Sequence, residues 1–104
     1  MPEATIAIAD DGKRSLLELG GELDVTQATR LLAAARQAAA SDLDVVVDCA
    51  QVERIHAAAL QILASTATAV RAQGHLLHLR APSEAVRSAV DLAGLRAALP
   101  IVVE

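Results

Sequence analysis

Residues 45–63, VVVDCAQVERIHAAALQIL, decide how this chain folds. Val45, Val46 and Val47 form a continuous β-branched run, which suits a strand covered on both faces. Residues 48–54 read as a short polar connection, interrupted by Val52 and followed by Ile55. A helix is predicted from His56, with three alanines in its first turn. A strand-to-helix junction of this kind points backbone N–H groups and the positive end of a helix dipole at whatever docks there. In this chain the turn carries no nucleophile, no glycine-rich cradle and no carboxylate pair.

Working toward the N-terminus, residues 5–8 alternate apolar with small side chains and read as a strand. Asp10-Asp11-Gly12 is a turn signal, and residues 15–19 form a second strand, so the chain opens on a hairpin. Gly20-Gly21 then breaks the pattern. Asp24 precedes a helix and can cap it, with Gln27 placed for a loose capping box. Ala28, Leu31, Leu32, Ala35 and Ala39 space out one apolar face along that helix.

Toward the C-terminus, the helix over residues 56–73 carries two stripes. Leu60, Leu63, Ala64, Ala67 and Val70 form the main one; Ala59, Ile62, Thr66 and Ala69 form a weaker one beside it. An apolar arc this wide means two buried sides or one surface kept for a partner. Gly74 closes the helix, residues 75–80 read as a strand, and Ser83 caps a third helix whose Val86, Ala89, Val90 and Ala93 point inward. Gly94 stops that helix, and Pro100 leads into a terminal Ile-Val-Val segment. The order β-β-α-β-α-β-α implies an α/β fold: a small mixed sheet of four to five strands packed by three to four helices, with parallel crossovers.

Bulk properties narrow the function. At 104 residues the chain reads as a single domain over its whole length, 1–104, with one core. It is 54% hydrophobic without one aromatic residue, so Leu, Val, Ile and Ala must build that core. Mean hydropathy is +0.41, yet no apolar run approaches the roughly 18 uncharged residues that span a bilayer. A formal charge of −4 argues against nucleic acid, whose phosphates demand a basic surface. The opening MPEATIAIADD lacks the basic start and apolar stretch of a secretory signal. The lone Cys49 fits a reducing compartment. A cytoplasmic domain with no membrane insertion is the expectation.

Gly21-Glu22-Leu23-Asp24 after the second strand and Asp48-x-x-x-Val52-x-x-Ile55 at the central junction resemble the STAS domain family. The small Ala28, the hydrophobic strand ending in Asp48, the later Leu60 and the run RAPSEAVRSAVDLAGL match in order, so the resemblance covers essentially the whole chain. It implies the fold shared by bacterial anti-sigma-factor antagonists, the soluble tails of sulfate transporters and small subunits of lipid-transport ABC systems. Family members controlled by phosphorylation carry Asp-Ser/Thr-x-Gly at the junction, and a partner kinase modifies the hydroxyl. This chain has His56-Ala57-Ala58-Ala59 there, which makes Ala57 a vestigial phosphorylation position. The nearest hydroxyls, on Ser65 and Thr66, lie more than a turn further along.

The resemblance implies a non-enzymatic protein–protein interaction module in a bacterial regulatory system. Asp24, Glu53, Arg54, His56, Ala57, Ala58 and Ile62 are its expected partner-binding residues. The expected partner is an anti-sigma factor/serine kinase or a chemotaxis-type signalling component. The alternatives are an ABC ATPase braced by a lipid-transport subunit, or a small anionic ligand sensed at the helix N-termini. No cofactor and no metal are expected. His75 and His78 would point to opposite faces of a strand, and His56 belongs to another element. Cys49 follows a buried strand, where cysteine acts as a small hydrophobe, and Asp42 and Asp44 read as turn and strand-edge charge.

Overall fold

The computed structural model describes residues 4–102. Five strands form one sheet in the order β1-β2-β3-β4-β5, and three helices complete the fold. The strands β1 (Thr5–Asp10) and β2 (Arg14–Leu23) make the expected antiparallel hairpin. Its turn is held by two aspartates. Asp10 Oδ1 accepts from the N–H of Gly12 at 2.6 Å, and Asp11 Oδ1 accepts from Lys13 and Arg14 at 2.9 and 2.8 Å. The strands β3 (Asp44–Ile55), β4 (Leu77–Arg80) and β5 (Ile101–Val102) then add in parallel. Val103, the last residue of the expected terminal segment, lies outside the described residues.

Two strands run further than their sequences indicate. Gly20-Gly21 does not end β2 but lies inside it, where the ladder with β3 shifts register. Gly21 has φ +76°, a conformation glycine adopts without strain, and a Cβ on Gly20 would lie only 3.3 Å from that of Gln51. The glycines therefore build a bulge and a close approach rather than a break. Residues 48–54 are likewise strand, not connection: β3 continues to Ile55, paired with Leu23. Gln51, Glu53 and Arg54 stand at exposed positions, Asp48 is half-buried and Val52 is buried.

A 3-10 turn (Val25–Gln27) precedes α1 (Ala28–Ala39). Asp24 caps that turn, not the helix itself. Gln27 accepts from Arg30 at 2.8 Å instead of reaching back, so the capping box does not form. Leu31, Ala35 and Ala38 are the buried face of α1, rotated from the expected stripe, and Leu32 is exposed. The helix α2 (Ala57–Ala72) buries Ala59, Leu60, Leu63, Thr66, Ala67 and Val70. That set spans both expected stripes, while Ala64 and Ile62 are half-buried and Ala69 is exposed. The helix α3 (Glu84–Leu92) is capped by Ser83, whose Oγ accepts from Val86 N and donates to Val52 O at 2.6 Å. Val86 and Val90 are buried, whereas Ala93 falls beyond the last turn and is exposed.

All three helices send side chains into one core with Leu17, Leu19, Val45, Val47, Cys49, Leu77 and Leu79. Because strand residues alternate, Leu16, Val46, His78 and Arg80 share the opposite face of the sheet. The valine run is thus not sandwiched between helices. Val46 lies outside that core, yet it is only 1% exposed.

Candidate functional site

The ladder between β2 and β3 delivers two chain segments to one corner of the molecule. Glu22 pairs with Arg54 and Leu23 with Ile55, and the N–H of His56 donates to Leu23 O at 2.9 Å. His56 is still extended (φ −96°, ψ 163°), and its carbonyl accepts the first bond of α2, from Leu60 N at 3.2 Å. It is the N-cap by position, but its side chain makes no capping bond. Instead the ring turns to β2, with Nε2 3.4 Å from Glu22 Oε1. The first turn of α2 is lined only by alanine methyls, with Ala57 exposed and Ala58 half-buried. The helix dipole therefore opens toward solvent with no acidic side chain in that turn.

The 3-10 turn forms the second wall. Asp24 Oδ1 accepts from Thr26 N at 2.9 Å and from Thr26 Oγ at 2.5 Å. These two bonds, with the His56 ring nearby, hold the Asp24 carboxyl below its usual range. Next to it Val25 is 72% exposed, a large aliphatic side chain that no helix covers. Thus Asp24, Arg54, His56 and Ala57 do come together at this corner. Glu53 stands exposed near the end of β3, and Ile62 packs partly into the core. Glu22 and Val25, which the structure also brings to this corner, are not among the residues expected from the sequence. Glu22 was visible in the Gly-Glu-Leu-Asp run, whereas nothing local marks Val25 as uncovered.

The remaining reactive side chains have structural work. Cys49 is fully buried, and desolvation first, then the Asp48 charge, pushes its thiol up to about 12. A neutral buried thiol is no nucleophile. Asp48 accepts from the N–H of Ala50 at 3.0 Å and pairs with Arg80 at 3.0 Å. His75 stands before β4, not in it, with Nε2 3.0 Å from Asp42 and Nδ1 3.4 Å from Asp44. Asp42 and Asp44 thus tie the start of β3 to the segment before β4. Among the described residues, no three His, Cys, Asp or Glu side chains are grouped to hold a metal ion. Nor is any helix there long and apolar enough to cross a membrane.

Comparison with known proteins gives the family. A family model described as "Mlab, STAS domain" matches residues 6–103. Solved structures share the fold. An anti-sigma factor antagonist from Mycobacterium paratuberculosis is 26% identical with a TM-score of 0.84, over 95% of this chain and 85% of that one. The unphosphorylated form of the anti-sigma factor antagonist SpoIIAA is 16% identical with a TM-score of 0.81, over 96% and 90%. An anti-sigma-factor antagonist (STAS) domain protein from Planctomyces limnophilus is 16% identical with a TM-score of 0.74, over 95% and 90%. Among curated proteins none matches the sequence. The chain belongs to the STAS domain family.

Proposed function

We propose that this chain works as one domain, over residues 1–104, and as a non-enzymatic protein–protein interaction module in the bacterial cytoplasm. Its docking surface is the corner where Asp24, Val25, Glu53, Arg54 and His56 surround the first turn of α2, with Ala57 and Ala58 at the centre and Ile62 at the rim. The observation that carries this reading is the exposed, methyl-lined start of α2 beside an uncovered Val25. An apolar centre with a charged rim is the usual layout of a specific interface.

Ala57 takes the place of the phosphorylated hydroxyl of regulated relatives. A phosphate would add about −1.5 to −2 charges there, and no side chain between Asp48 and Gln61 has a hydroxyl to accept one. The partner is an anti-sigma factor/serine kinase or a chemotaxis-type signalling component, as the anti-sigma factor antagonists of the same fold support. Binding is then constitutive at this position. A second reading rests on the Mlab description of the matching family: the same corner braces the ATPase of a lipid-transport ABC system. Titrating the wild type and Ala57→Asp into the ATPase or kinase encoded beside it tests the surface under either reading.

A further inference from the structure

We propose that the outer edge of β1 pairs with β1 of a second copy of this chain, antiparallel and centred on Ala7, so that two five-stranded sheets run on as one. The strand order leaves β1 at one end of the sheet, and an edge strand presents a row of unpaired backbone N–H and C=O groups. Such edges are ordinarily blunted by proline, lysine, a bulge or extreme shortness. β1 has none of these. Its six residues pair with β2 in unbroken register, and residues 4–9, ATIAIA, carry no charge and no proline. The opposite edge, β5, is two residues long.

The hairpin fixes which backbone groups are open. Asp11 N donates to Arg14 O at 3.2 Å, and bonded pairs recur at every second residue of an antiparallel ladder. Ala9, Ala7 and Thr5 therefore bond to β2, and the N–H and C=O of Ile6 and Ile8 point outward. The side chains of these two isoleucines pack against the core yet are only half-buried, so an apolar margin lies beside the open backbone. A second copy fits this edge because the strand reads nearly alike in both directions about Ala7: Ile6 answers Ile8, and Thr5 answers Ala9. A two-fold axis needs such self-complementarity. Pairing about Ala7 sets Ile6 against Ile8 of the second copy on each side of the axis, exchanging both N–H···O bonds in each pair. Asp10 then meets Ala4 and not another acid. Strands this short bury less than about 1,200 Å² between them, which places the dimer in the weak, reversible class.

Sedimentation of the full chain from micromolar to millimolar concentration tests this. The wild type should pass reversibly from monomer to dimer, and hydrogen exchange at the amides of Ile6 and Ile8 should slow as the dimer forms. Ala7 is exposed, so Ala7→Lys and Ala7→Glu should each keep a native amide spectrum. Each should weaken self-association by about fivefold or more, because like charges then meet at the axis. An equimolar mixture of the two variants should associate more tightly than either alone. A wild type that stays monomeric throughout overturns the proposal and leaves the edge to a strand of another protein. So does a dimer in which the Ile6 and Ile8 amides gain no protection, or a mixture of the two folded variants that associates no better than its components.

Discussion

Nε2 of His56 lies 3.4 Å from Oε1 of Glu22, so the residue that starts α2 is joined by its side chain to the end of β2. Both side chains are a third or more exposed, and an exposed ion pair contributes about 0–1 kcal/mol at most. Glu22→Ala should therefore lower unfolding free energy in urea by less than about 1 kcal/mol. A larger loss would mean that the carboxylate supports the β2 bulge and not only the imidazole.

Incubation with the partner kinase and ATP should leave residues 48–61 unmodified, since that segment contains no Ser, Thr or Tyr. Intact mass and peptide mapping check this. Phosphate on Ser65 or Thr66 with an effect on binding would show that the switch has moved along α2. Thr66 is the poorer candidate, because it is buried and its Oγ donates to Ile62 O at 2.7 Å.

The core without aromatic rings leans on a few leucines. Leu63 is fully buried at the centre of α2, and truncating such a side chain costs about 2–5 kcal/mol. Leu63→Ala should lose that much in chemical denaturation, a large part of the roughly 5–15 kcal/mol available to a domain. A loss below about 1 kcal/mol would place Leu63 outside the core.

Acid should weaken the fold through Asp48. Its carboxyl is held below the usual 3.8 by the N–H of Ala50 and by Arg80, against the opposing effect of burial. A depressed folded value means the unfolded chain takes up the proton first. The stabilisation is therefore complete above the ordinary carboxylate range and is lost as pH falls toward the folded value. Asp48→Asn should be less stable at pH 7 and should converge on the wild type as pH falls through and below the ordinary carboxylate range. Parallel curves across that range would contradict the assignment.

Much of this was legible in local sequence. The Asp10-Asp11-Gly12 turn, the Ser83 cap and the stop at Gly74 follow from side-chain chemistry that acts within a few residues. What local reading missed depends on pairing partners far away in the chain. Residues 48–54 look like a loop because their polar side chains alternate poorly, and only the ladder to β2 makes them a strand. Gly20-Gly21 reads as a break for the same reason. At the proposed site, the family motifs point to Asp24, His56 and Ala57, but the closeness of Glu22 to His56 is set by register across two strands. Val25 was invisible because its exposure is a failure of other elements to cover it.

The most direct test is Ala57→Asp, measured by a melting curve and by isothermal titration against the partner. Ala57 is exposed in the first turn of α2, where the dipole favours an anion by about 0.3–1 kcal/mol. Melting should therefore hold or rise slightly. In an interface the same unpaired charge is costly, so affinity should fall by at least about tenfold, or 1.4 kcal/mol. Unchanged melting with lost affinity is the result this account predicts. Unchanged affinity would contradict it and move the interface elsewhere, and a steep drop in melting temperature would mean that Ala57 is packed in the interior.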